Sequence, residues 1–391
     1  MEKIIYLDSA STTYVNSEVL REMMPVFNMQ YGNASSLHKI GREATNLIDI
    51  ARTRIAKTLN VKPSEIYFTS GGTEANNWAI LGLARANRDK GNHIITSKIE
   101  HHSVLEACKQ LEKEGFEVTY LDVDDKGVVK LTELMHYITN NTILVSIMAA
   151  NNEVGTIQHL KAIAQTVKER PNCIFHCDCV QAYSHIAINP YEIGIDALSI
   201  SSHKIYGPKG AGALFLKKGI KIDNLMLGGN QESGKRGGTV NVPSIVGFGK
   251  AAEIAIRDMR ATNEKLKFLR DYLYTEIVKN IPGVHLNGHP YQRLPQILNI
   301  SFECIEGESI LLMLDMENIC ISTGSACTTG SLEPSHVLEA MGVSKELSNS
   351  AIRFSISKNN TKQDIDEVVL KLKKIVEKLR TISPLQLKGE K

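Results

Sequence analysis

From Ile66 to about Leu216 the chain alternates short apolar runs with stretches of helical periodicity, and this alternation constrains the fold more than any other feature. The runs are Ile66–Thr69, His93–Ser97, Glu117–Leu121, Ile143–Met148, Cys173–Cys179, Ala197–Ile200 and Gly212–Phe215. Strands that alternate with helices pair mostly in parallel, because each crossover helix returns the chain to the same end of the sheet. Helices then cover both faces of such a sheet. The expectation is an α/β domain whose mostly parallel, seven-stranded sheet is flanked by helices.

The flanking stretches follow other patterns. Tyr6-Leu7-Asp8 starts a short strand, and Ser9–Thr13 is a turn of small residues. Helices are predicted at Ser17–Asn28 and Gly41–Leu59, the second with Ala44, Leu47, Ile48, Ala51, Ile55 and Leu59 on one face. A long helix from about Pro243 to Arg270, polar in its second half, leads to strand-like pieces at His285–Leu286, Ile297–Phe302, Ile319–Ile321 and Ala351–Ile356. A final helix begins at the capping pattern Thr361-Lys362-Gln363-Asp364. With 391 residues, more than one core is expected. Residues 15–255 are assigned to the large domain, and 1–14 with 256–391 to a smaller α+β domain.

Lys+Arg 45 against Asp+Glu 43 leaves a net charge of +2 without blocks of like charge, which gives no support to nucleic-acid or membrane-surface binding. No run of 18 apolar residues suggests a spanning helix, and Met1-Glu2-Lys3-Ile4-Ile5-Tyr6 does not resemble a secretory signal. Seven scattered cysteines, an odd number, fit a reducing cytoplasm better than a disulfide framework. Cys173, Cys177 and Cys179 with His176 match no usual zinc spacing, so they read as core residues of a buried strand. No metal site is expected.

Ligands of open parallel sheets sit beyond the carboxyl ends of the strands, so the residues there carry the functional reading. Ser70-Gly71-Gly72-Thr73-Glu74 opens a helix and offers backbone N–H groups and a hydroxyl to an anion, or is merely a tight turn with a cap. Glu100-His101-His102-Ser103 places a ring that either stacks on a flat cofactor or caps a helix. Asn152 follows the fourth run, and an amide there reaches a ring hydroxyl. Asp178, with Gln181 behind it, ends the fifth; a carboxylate buried there is costly unless a cation pairs with it. Lys204 follows the sixth, among Ser201, Ser202 and His203, and is suited to a Schiff base with an aldehyde. Together these are a phosphate cup, a stacking ring, an acid for a pyridinium and an amine for an aldehyde. The set points to pyridoxal phosphate (PLP) and an enzyme of aminotransferase type.

Two later segments add chemistry. Cys327 lies in a run of small residues, about 322–333, without a large apolar anchor, where a mobile nucleophile is a better reading than a structural thiol. In Ala351–Ile356, Ile352, Phe354 and Ile356 alternate with Arg353, which is free to hold a carboxylate as a bidentate partner.

These residues resemble the cysteine desulfurases, the IscS/NifS group of PLP fold-type I enzymes, over essentially the whole length and nearer to NifS. Ser202-His203-Lys204-Ile205-Tyr206-Gly207-Pro208-Lys209-Gly210 and Gly324-Ser325-Ala326-Cys327 carry the resemblance most specifically, with Gly71-Gly72-Thr73-Glu74 and Asn151-Asn152-Glu153-Val154-Gly155 adding to it. It implies conversion of L-cysteine to L-alanine, with sulfur passing to Cys327 as a persulfide. Lys204 would hold the cofactor and move protons, His101 would stack and assist, and Asp178 would face the ring nitrogen. Gln181 and Asn152 would touch the phenolic oxygen, while Gly72, Thr73, Ser201 and His203 would bind the phosphate. Arg353, together with Asn33, would take the substrate carboxylate. Thr239 would reach the site of the other subunit in a homodimer. The sulfur would pass to an iron–sulfur scaffold or another acceptor protein, Cys327 meeting an iron–sulfur cluster only in transfer. A selenocysteine lyase, or another PLP transaminase or lyase of the same fold, is the alternative. Three departures from the family pattern stand out: Cys179 in Asp178-Cys179-Val180-Gln181, Asn230, and Gly237 in Arg236-Gly237-Gly238-Thr239, which is expected to loosen that turn.

Overall fold

The computed structural model describes residues 3–323 and 334–384. Its strands are β1 (Ile5–Tyr6), β2 (Ile66–Thr69), β3 (His93–Ser97), β4 (Glu117–Leu121), β5 (Thr142–Ser146), β6 (Ile174–Asp178), β7 (Ala197–Ser201), β8 (Gly212–Leu216), β9 (Val284–Asn287), β10 (Ile297–Phe302), β11 (Ile319–Cys320), β12 (Ser322–Thr323) and β13 (Ala351–Ser355). The seven runs of the alternating region form one sheet in the order β2-β8-β7-β6-β5-β3-β4. Only β8 runs against its neighbours. The carboxyl ends of β3, β5, β6 and β7 therefore open on the same edge, and the chemistry-bearing residues are gathered there.

The second region is a four-stranded antiparallel sheet, β12-β13-β10-β9, beside the short parallel pair β1-β11. Its core joins Ile5 and Leu7 from the start of the chain to Leu298, Ile300, Phe302, Ile352 and Phe354, with Ile365, Val368 and Leu372 of the last helix. That helix, Lys362–Ile382, starts at the expected capping box, in which Thr361 and Asp364 satisfy each other's backbone N–H.

One helix, Val242–Asn280, serves both regions. Its first part buries Val246, Phe248 and Ala252 with the large sheet's core, and its second part buries Leu266, Leu269, Leu273 and Ile277 in the other core. It runs ten residues past the end expected from sequence, because the apolar stripe of the second half is narrow among many charges. Gly249 lets it press against the helix Lys39–Leu59, since a Cβ there would lie 2.6 Å from Ala51 Cα.

Candidate active site

The chain between β1 and the helix Ser17–Asn28 crosses from the small core into the large domain. Asp8 bridges to Ser355 on β13, and the Ala10 N–H donates to Ser355 Oγ at 2.9 Å. The Ser9–Thr13 turn thereby becomes a wall of a cavity of about 340 Å³ at the carboxyl edge of the large sheet. That volume lies in the usual range for small-ligand sites. Around it stand Gly72, Thr73, His101, Asn152, Asp178, Gln181, Ser201, His203, Lys204 and Arg353. Residues from β6, β7 and β13 thus face one space, although up to 281 positions separate Gly72 from Arg353 in the chain.

Lys204 ends a short 3-10 turn after β7 and donates from Nζ to the carbonyl oxygens of Ala10 and, at 2.9 Å, Ser11. Gln181 Nε2 donates to the same Ala10 oxygen at 2.8 Å. Asp178 is buried at the end of β6, accepting from Asn76 Nδ2 at 2.7 Å and from the Val180 N–H at 2.9 Å. His101 caps the helix His102–Lys113 through Nδ1, which accepts from the Ser103 N–H at 3.1 Å. The ring therefore caps the helix and lines the cavity at once, so capping does not take it away from the place where a flat cofactor would stack. Burial holds its pKa below the ordinary histidine value, with Lys204 and His102 adding to the shift against the opposing pull of Asp178. His203, within reach of Thr12 Oγ1 at 3.2 Å, is pushed down to about 4 by burial and by the charges of Lys204 and Lys209.

Arg353 leaves β13 on the face opposite Ile352 and Phe354. Its Nη2 donates to Asp8 Oδ1 at 2.9 Å and to Ser11 Oγ at 2.6 Å, and Nη1 donates to the Asn152 carbonyl at 3.1 Å. Its Nε is buried without a partner. Two further carboxyls stand close behind the walls. Glu100, fully buried, accepts from Ser97 Oγ at 2.6 Å and from the Met148 N–H at 3.0 Å, and burial pushes its pKa up to about 8. Glu153 accepts from Ser335 Oγ, and burial pushes it up to about 7.

Two residues of the sequence reading, Asn33 and Thr239, lie elsewhere, and a third is not described. Cys327 is outside the described residues. Asn33 sits on an exposed loop, where its side chain accepts from the Ser35 N–H at 2.9 Å, and it does not line the cavity. Thr239 lines a separate cleft with Ser70, Gln231 and Arg236. The expectation that Gly237 loosens this turn is reversed, because its backbone packs on Gly228, where an added Cβ would come within 2.7 Å of Cα. Cys177 and Cys179 lie in the core with their sulfurs 3.6 Å apart. His176, on the other face, is held between Ser146 and Ser199.

Asp8, Ser11, Asn76 and Ser103 were not singled out in the sequence. Asn76 lies one helical turn after Thr73, on the same face, and that spacing was the available signal. The Ser11 turn carries no local sign of chemistry, since only the long-range pairing of Asp8 with Ser355 brings it here.

The walls fit a flat cationic ring that carries a phosphate and an aldehyde. Ser201 Oγ and Asn76 Oδ1 are buried without partners, and Asp178 brings a negative charge that an amide alone does not neutralise. At the other end, Gly72 opens a helical stretch that runs to Ala86, and an added Cβ there would meet Val180 Cγ2 at 2.7 Å.

Comparison with known proteins agrees. The aminotransferase class-V family matches residues 5–368. A cysteine desulfurase IscS of Methanosarcina thermophila is 51% identical over 383 residues, 98% of this chain and 94% of that protein. A cysteine desulfurase IscS of Dictyoglomus turgidum is 52% identical over 384 residues, 98% of this chain and 97% of that one. A NifS-like protein of known structure superposes with a TM-score of 0.92 at 39% identity, covering 96% of this chain and all of its own. SspA in complex with cysteine gives 0.80 at 36% identity, over 91% of this chain and 100% of its own. The chain belongs to the aminotransferase class-V family and, within it, to the cysteine desulfurases.

Proposed function

We propose that the chain is a PLP-dependent cysteine desulfurase that converts L-cysteine to L-alanine and leaves the sulfur on Cys327. The observation that carries this reading is the single cavity walled by Lys204, His101, Asp178, Ser201, His203 and Arg353. Bound PLP supplies an aldehyde for covalent attachment and a protonated ring that withdraws electrons from the substrate carbon. With the cofactor bound, Asp178 would keep the ring nitrogen protonated, Asn152 and Gln181 would hold the phenolic oxygen, and Gly72, Thr73, Ser201 and His203 would receive the phosphate. Lys204 would anchor the aldehyde and afterwards exchange protons at the substrate carbon. Arg353, which lines the cavity, would hold the carboxylate of L-cysteine, and the paired Asp8 keeps the guanidinium in place.

The thiolate of Cys327 attacks the substrate sulfur. The S–S bond forms as the C–S bond breaks, and the bonding pair stays on carbon, which takes a proton to become L-alanine. The persulfide then passes its outer sulfur to an acceptor protein, such as an iron–sulfur scaffold, in a reducing cytoplasm. Thr239 completes the phosphate site of the second subunit in a homodimer.

Replacing Cys327 with alanine is expected to leave cofactor absorbance intact and to abolish sulfide release from L-cysteine. Undiminished desulfuration by that variant would overturn the reading, and turnover of selenocysteine alone by the wild type would assign the chain to the lyases instead.

A further inference from the structure

Between the two groups that flank the cavity, His101 and Asp178, runs a short chain of buried hydrogen bonds. Asn76 Nδ2 donates to Asp178 Oδ2 at 2.7 Å and to Ser103 Oγ at 2.9 Å, and Ser103 Oγ lies 2.8 Å from His101 Nδ1. Asn76 is 1% exposed and Ser103 7%. Neither belongs to the set that the sequence pointed to, and both line the cavity.

The donor directions follow from chemistry. An ionised carboxylate only accepts, so Asn76 must turn its NH2 group, and not its oxygen, toward Asp178. That orientation leaves Asn76 Oδ1 buried without a partner, an arrangement that burial disfavours and that the carboxylate imposes. The second N–H of the same amide points at Ser103 Oγ, whose own proton is then directed to His101 Nδ1. The Ser103 backbone N–H also donates to Nδ1, at 3.1 Å. Two donors on one ring nitrogen leave it no proton of its own.

We propose that Asn76 and Ser103 are positioning residues that transmit the ionised state of Asp178 to His101 and hold its neutral ring as the Nε2–H tautomer. The only exchangeable ring proton of His101 is then on Nε2, where it serves proton transfer in the reaction proposed above. Asp178 thereby has two effects: it would meet the ring of a bound cofactor directly, and it sets which histidine nitrogen carries the proton.

The test uses full-length protein with 15N-labelled histidine, with and without PLP, and long-range 15N–1H correlations to read the tautomer of His101, assigned through His101→Gln. The wild type is expected to show a bare Nδ1 and a protonated Nε2. A protonated Nδ1 in the wild type overturns the proposal, whatever the variants do. In Ser103→Ala, which leaves Nδ1 only the backbone donor at 3.1 Å, and in Asn76→Leu, which frees the Ser103 hydroxyl from its fixed donor, part of the ring population is expected to shift to the Nδ1–H tautomer. Their kcat with L-cysteine should fall at least about 10-fold with KM changed less than about twofold, because a misdirected tautomer forfeits much of the 10²–10⁴-fold worth of acid–base catalysis. Ser103→Thr keeps the hydroxyl and is expected to restore both the tautomer and the rate. Equal behaviour of Ser103→Ala and Ser103→Thr would overturn the relay. The proposal rests on the desulfurase reading only for its kinetic arm, so a wild type that fails to desulfurate cysteine yet shows the Nε2–H ring would sink that reading and leave the relay standing.

Discussion

A carboxyl group buried without a cation resists losing its proton, and Glu100 is this case beside His101. Its pKa is raised to about 8 by burial, with Asp178 adding to the shift and the hydrogen bonds from Ser97 and Met148 opposing it. Below the unfolded value both folded and unfolded chains hold the proton, so Glu100 has no effect on stability there. As pH rises toward 8 the unfolded chain has released the proton and the folded one has not, so the folded state loses stability across this window. Glu100→Gln keeps the accepting oxygen for Ser97 and Met148 and removes the titration. Its stability relative to the wild type is expected to rise between pH 5 and pH 8 by about 1 kcal/mol or more, measured by denaturant unfolding of both proteins. A gap that is flat or shrinking with pH would show that Glu100 ionises freely. His203, depressed to about 4, acts with the opposite sign, because the unfolded chain takes up the proton first as pH falls below about 6.5. Arg353 belongs to this scale as well. Arg353→Lys loses the planar fork that spans Asp8, Ser11 and Asn152, and is expected to raise KM for L-cysteine by 10-fold or more, a loss of about 1.4 kcal/mol or greater. An unchanged KM would remove Arg353 from the substrate site.

At the scale of elements, the long helix Val242–Asn280 is where sequence and structure part most clearly. Leu266, Leu269, Leu273 and Ile277 are buried, but the surface residues between them are charged, and the stripe is too narrow to stand out. Leu269→Ala and Leu273→Ala are each expected to cost about 2–5 kcal/mol in chemical unfolding, as deletions in a packed core do. Arg260→Ala, on an exposed stretch between the two cores, should change stability by no more than about 0.5 kcal/mol. Similar losses for all three would mean that the second half does not pack as described. The large sheet, by contrast, was legible almost to the residue, because apolar runs bounded by turn residues signal strands regardless of context. The strand-end residues Asp178, Lys204 and His101 were legible for the same reason: the end of a strand in such a sheet is a position of known meaning. Ser11 and Asp8 were not, because their place depends on a pairing between residue 8 and residue 355 that no local pattern announces. Asn76 and Ser103 fall between these cases, on faces that helix geometry gives but with partners that only the folded chain defines.

At the scale of the whole molecule, one chain walls a cavity with ten of the expected groups, whereas Asn33 sits on an exposed loop and Thr239 lies in its own cleft beside Ser70 and Arg236. The helices Ser17–Asn28 and Lys39–Leu59 and the loop between them expose Leu20, Met24, Phe27, Tyr31, Leu37 and Ile40, more apolar surface than isolated residues would explain. In the homodimer proposed above, Thr239 would serve the other subunit. The arrangement makes a prediction that no single-chain site shares. Let one chain carry Lys204→Ala and the other Thr239→Ala, each with a different affinity tag, and purify the hybrid after co-expression. If Thr239 acts across the interface, one site of the hybrid loses both groups and the second keeps both. The hybrid should then show about half of the wild-type activity, and its one intact site should hold PLP as tightly as the wild type, since half of the sites are whole. If Thr239 acts within its own chain, no site of the hybrid is whole, and the mixture can do no better than the Thr239→Ala chain does on its own. The PLP affinity of the remaining lysine-bearing site separates the two outcomes even where Thr239→Ala retains some turnover.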